Sequence, residues 1–122
     1  MTRTFVTRHF EKWARKERIG NADLGAVIQA ADAGLIHADL KGCLVKIRLA
    51  RQGAGKSSGY RTIIAYKKDE RAFFLYGFSK GDRANISSDE INGLEEYGEI
   101  LMELPIADLN QLISEGKLRE IL

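Results

Sequence analysis

Leu44 to Tyr66 reads LVKIRLARQGAGKSSGYRTIIAY, and the fold turns on how this stretch pairs with itself. Val45, Ile47 and Leu49 alternate with Lys46 and Arg48, the period-two pattern of a strand with one apolar side and one charged side. Residues 51–59 follow with three glycines and two serines, a loop composition. Tyr60 then opens a second strand-forming run through Thr62, Ile63 and Ile64. Two strands joined by a glycine-rich loop predict a β-hairpin. Pairing them gathers Lys46, Arg48 and Arg61 into one neighbourhood. Crowded cations repel one another, so the arrangement points to an anionic partner, with phosphate first among the candidates. The plainer reading is a solvent-facing strand, where Lys and Arg are ordinary.

Upstream of the hairpin, Thr2–Thr7 is expected to form a short edge strand around Phe5 and Val6. Arg8–Arg18 follows as a helix with Phe10, Trp13 and Ala14 on one stripe, ended by Gly20. Asn21 is expected to cap a second helix running to Ala33, with Leu24, Val27, Ile28 and Ala31 at helical spacing. The two helices form an antiparallel pair that covers one face of a sheet. Downstream, RAFFLYGF at residues 71–78 is apolar without alternation, as expected of a central strand covered on both faces. Ser87 and Glu90 make a capping box that opens a third helix, with the stripe Ile91, Leu94, Tyr97, Leu101 and Leu104. Pro105 breaks it. A short fourth helix ends at Gly116, and residues 117–122 either extend briefly along a strand or fray. The sum is a single α+β domain spanning residues 1–122, a small antiparallel sheet packed against an N-terminal helical hairpin, with further helices at the C-terminal end.

Apolar content of 44% and charged content of 30% place the chain among globular proteins. Arg3 and Arg8 are not followed by a long apolar run, so neither a leader nor a membrane span is expected. Cys43 is the one cysteine and reads as a small core residue in a reducing, cytoplasmic setting. The net charge of +2 hides an asymmetry: residues 41–83 carry eleven Lys/Arg against three Asp/Glu, and residues 84–122 carry two against nine. A basic middle suits a polyanion, with the acidic segment packed elsewhere or folded over it.

Several motifs carry less than they suggest. ARQGAGKS at residues 50–57 matches a relaxed phosphate-loop pattern, but such a loop opens a helix, and here Tyr60 opens a strand. Its glycines read as a hairpin loop, with Lys56 available to a backbone phosphate. His9 and His37 have no acid or cysteine at triad or metal spacing and read as solvated. No cofactor and no metal are expected.

VKIRLARQGAGKSSGYRTIIAY followed by RAFFLYGF and SKGDRANI resembles the RelE/ParE superfamily of bacterial toxins, and within it the RelE-like, HigB-type branch. The likeness is close over about residues 40–86, and the two preceding helices fit in type and order. It implies a toxin of a type II toxin–antitoxin pair that cleaves mRNA on translating ribosomes without metal and is held inactive by a cognate antitoxin. It also implies that Lys46, Arg48 and Arg61, with Lys80 and Arg83 of the following turn, form the catalytic cluster. That cluster lets a ribose 2′-hydroxyl attack the adjacent phosphate while cations offset the growing charge. Arg51, Lys56, Tyr60 and Asn85 are the matching candidate RNA contacts. The chain departs from the pattern in one respect: RelE places a tyrosine shortly after that turn, where this chain has Asn85, Ile86 and Ser87. The general base therefore stays open between Lys46 and Tyr60. The alternatives are a ParE-like toxin that blocks gyrase and cuts no RNA, and an RNA-binding relative without chemistry.

Overall fold

The computed structural model describes residues 1–49, 59–79 and 86–121. In chain order these form β1 (Arg3–Thr7), α1 (Arg8–Lys16), α2 (Asn21–Asp32), β2 (Ala38–Asp39), β3 (Leu44–Leu49), β4 (Tyr60–Lys67), β5 (Arg71–Ser79), α3 (Ser88–Glu103), α4 (Ile106–Ser114) and β6 (Leu118–Ile121). The strands make one sheet in the order β2-β3-β4-β5-β1-β6. All neighbours are antiparallel except β1 and β5. The fold is α+β, as the sequence predicts.

The hairpin forms as expected, with Val45, Ile47 and Leu49 buried on the side that α1 and α2 cover. Phe10, Ala14, Leu24, Val27, Ile28 and Ala31 complete that layer. The Trp13 ring packs against Gly77 of β5, where a Cβ would stand 2.3 Å from the indole, so only glycine admits the ring. The opposite side carries a second layer in which Phe5, Leu44, Ile63, Ala65, Phe73 and Leu75 meet Leu101 of α3 and Leu109 of α4. Gly98 sets how closely α3 approaches, since a Cβ there would lie 2.9 Å from the Ala65 Cβ. Among the described residues no helix is long and apolar enough to cross a membrane.

Three expectations are corrected. β1 is an interior strand rather than an edge, because Phe5 and Val6 are both buried and on opposite faces, Phe5 stacking on Phe73 at 4.9 Å. Its neighbours on the two edges are β5 and β6. α1 ends at Lys16, and Arg18 turns the chain with φ of 58° before Gly20 is reached. The α2 cap position is Gly20, whose N–H donates to the Asp23 carboxylate at 3.0 Å, rather than Asn21. By contrast the Ser87–Glu90 box forms as read: the Glu90 N–H donates to the Ser87 hydroxyl at 3.2 Å. In the α3 stripe, Tyr97 is 43% exposed and Gly98 takes the buried position.

Candidate nucleic-acid interface

Strand register brings the hairpin cations together. Leu44 faces Ala65, Lys46 faces Ile63 and Arg48 faces Arg61 across β3 and β4. Leu44, Ile63 and Ala65 belong to the layer under α3 and α4, so by the period of two Lys46, Arg48 and Arg61 share that side. Arg48 is exposed, and Lys46 and Arg61 are half-buried. Like charges directly opposite on a sheet destabilise it. The Arg61 guanidinium reaches the carbonyl of Tyr60 at 3.5 Å, and among the described residues no carboxylate pairs with Arg61 or Lys46.

The far end of the same side is built differently. There α3 lies on the sheet through Gly98, and one guanidinium nitrogen of Arg71 donates to the carbonyls of Leu101, Met102 and Leu104 at 3.2, 3.1 and 2.7 Å. These are carbonyls of the last turn and cap of α3, of which Leu101 also accepts from the Leu104 N–H, and a cation there complements the helix dipole.

A β-bulge links the two ends. Ile64 pairs with Phe74, but Ile63 pairs with Tyr76, so β5 carries one extra residue, Leu75. The shift turns Tyr76 and Phe78 onto the side already occupied by Phe73 and Leu75, next to the cations. Phe78, the partner of Arg61, is buried, and its ring lies 5.9 Å from that of Tyr76. The Tyr76 ring in turn lies 6.0 Å from that of His9, the two planes within 9° of parallel. His9 is exposed, as the sequence suggests, but its ring is stacked.

Tyr60 is placed elsewhere. It pairs with Leu49, is buried on the α1 side, meets Trp13 edge-on at 5.3 Å and donates its hydroxyl to Glu17 at 2.9 Å. The cause is the same alternation that puts its neighbour Arg61 on the opposite side. Arg51, Lys56, Lys80, Arg83 and Asn85 lie outside the described residues. At the point where the tyrosine of the RelE pattern is missing, Ile86 is half-buried against the α3 layer and Ser87 caps α3. Cys43 sits under α3, where burial, then a hydrogen bond to Glu99, push its thiol up to about 12 and away from nucleophilic chemistry. A separate cleft of about 550 Å³ opens between α1 and β6, but its carboxylates are already engaged, Glu11 with Arg15 and Arg119 and Glu120 with Arg3. Among the described residues no three His, Cys, Asp or Glu side chains gather as a metal-sized group.

A family model described as the RelE toxin of the RelE/RelB toxin–antitoxin system matches residues 2–121. Comparison with proteins of curated function finds no match.

Proposed function

This chain belongs to the RelE toxin family of toxin–antitoxin systems, and from that premise we propose that it is a cytoplasmic mRNA endoribonuclease of the HigB-type branch, acting on translating ribosomes. A cognate antitoxin is the partner that the family implies. The observation that supports the chemistry is the Arg48–Arg61 cross-strand pair with Lys46 beside it, three cations kept on one side despite their mutual repulsion. A phosphodiester seated there has its charge neutralised in the ground state and more strongly as it becomes a dianionic phosphorane. The ribose 2′-oxygen attacks the adjacent phosphorus, the bond to the 5′-oxygen breaks, and the products are a 2′,3′-cyclic phosphate and a 5′-hydroxyl. The 2′-hydroxyl proton passes to a base, and the leaving 5′-oxygen gains one. By resemblance Lys80 or Arg83 supplies that second proton. Holding the reacting oxygen, phosphorus and leaving group in line supplies the rest of the acceleration. No metal takes part in this scheme.

The test is cleavage of mRNA by purified protein, alone and with ribosomes, in excess chelator where naked RNA is used, followed by end-group analysis. Cyclic phosphate ends that vanish in Arg61→Ala are expected. Chelator-sensitive cutting with 3′-hydroxyl ends removes the mechanism. Growth arrest without any RNA cleavage transfers the reading to the gyrase-directed, ParE-like alternative.

A further inference from the structure

Beside the cations the same side of the sheet carries Phe78 and Tyr76, and the ring of His9, from the start of α1, stacks on Tyr76, a row of rings that the proposed chemistry does not use. Phe78 is buried, Tyr76 half-buried and His9 exposed, and successive ring centroids lie 5.9 and 6.0 Å apart. The row therefore runs from the core to solvent, and its outermost ring is held within 9° of the plane of the ring behind it. An exposed histidine near a helix start is commonly a mobile, hydrated side chain. Here the Thr7 cap, whose hydroxyl accepts from the Phe10 N–H and donates to the Phe74 carbonyl, fixes the start of α1 against β5, and with it the residue carrying the imidazole. The bulge fixes Tyr76 beneath.

The spacing to the cations suits one nucleotide unit. Ile63 is the register partner of Lys46 on one edge and of Tyr76 on the other, so these two stand two strand spacings apart, about 9–10 Å between Cα atoms. Cations that take a phosphate next to an aromatic face that takes a base form the pattern by which single-stranded nucleic acid is held. We propose that the exposed ring of His9, backed by Tyr76, is a shelf on which one unpaired RNA base stacks while Lys46, Arg48 and Arg61 hold the adjacent phosphate. This rests on the reading of the hairpin as an RNA site and adds to it the way in which the base is held. Because every base has a π-face, the shelf tolerates any base but requires it to be out of a duplex. It also supplies orientation where the RelE pattern's tyrosine is absent.

The experiment is binding of a fluorescent 2′-O-methyl RNA hexamer, which has no 2′-hydroxyl to react, measured by anisotropy at one fixed salt concentration. His9→Ala and Tyr76→Leu are expected to weaken binding about 5- to 150-fold, the range for one lost base–aromatic stack. His9→Phe is expected to restore it to within about twofold, since the ring face rather than the imidazole nitrogens does the holding. A hexamer abasic at each position in turn should show one position at which wild type binds as weakly as His9→Ala does. Melting curves accompany each variant, and His9→Ala, at an exposed position, keeps the test sound if Tyr76→Leu loses its fold. Wild-type affinity in His9→Ala overturns the shelf, and so does a His9→Phe that binds no better than His9→Ala. Arg61→Ala separates the two ideas: if it weakens binding while His9→Ala does not, only the shelf falls. If neither changes binding, the RNA reading of the whole side falls with it.

Discussion

Arg61 of β4 and Arg71 of β5 lie on one side of the same sheet, at opposite ends, and have opposite surroundings. Arg71 is spent on structure: three carbonyls of the α3 terminus converge on one of its nitrogens. Arg61 faces another arginine, and among the described residues it finds only a carbonyl of its own strand. In sequence the two look alike, each at the start of an apolar run. A cation's charge thus says little about its use. What distinguishes the two is whether the fold itself supplies the acceptors, as it does for Arg71, or whether the acceptors must come from a partner.

The sharpest break of this comparison is on activity. Arg61→Ala should lower RNA cleavage by about 10²–10³-fold, the usual loss of one preorganised charge donor, with product analysis by gel as the measure. An active Arg61→Ala would erase the distinction between the two ends. Next comes reactivity at the covered end. With its thiol pushed up to about 12, Cys43 should alkylate at pH 8 at least about 100-fold more slowly than in the urea-unfolded chain, where an ordinary thiol near 8.5 is partly thiolate. The sign carries to stability. The folded thiol resists ionisation, so its contribution to stability is flat below about pH 8 and falls as the pH rises toward 12, a decline that Cys43→Ala should remove. Third, Arg71→Ala should cost about 1.5–3 kcal/mol in a denaturant melt, the range for hydrogen bonds to a charged group. A Gly98→Ala change is expected to cost about 1–3 kcal/mol by forcing α3 off Ala65. The smallest effect belongs to the other end: Arg61→Ala should shift the same melt by no more than about 0.5 kcal/mol, or raise stability slightly by relieving repulsion from Arg48. If Arg61→Ala destabilises as much as Arg71→Ala does, the two arginines are alike after all.

Features whose cause is local were legible in the sequence. The β3–β4 hairpin follows from alternation, and the α3 start follows from a serine and a glutamate three residues apart. β1 was misjudged because two apolar residues suffice for an interior strand only when they bury in opposite layers, a fact that belongs to β5 and β6 rather than to β1. Tyr60 is a different kind of miss. Consecutive residues in a strand cannot share a face, so its separation from Arg61 was already written in the hairpin. Tyr76 and His9 were not legible: the bulge that turns Tyr76 toward the cations is a mismatch between two strands, and the ring above it arrives from 67 residues earlier in the chain. Arg71 was hidden for the same reason, since its acceptors are 30 to 33 residues away.

The place of β1 between β5 and β6 also governs the order in which the sheet can be assembled during synthesis. β1 has its partners at residues 71–74 and 118–121, so it stays unpaired until β5 is made and gains its second neighbour only with β6. β3, β4 and β5 are continuous neighbours and can form their ladder while β6 is still unmade. The strands that carry Lys46, Arg48 and Arg61 can therefore pair before β1 is sealed in. α1 begins at the residue after β1 and is released to dock only as that strand settles. A nascent chain would thus present its cations before it presents His9.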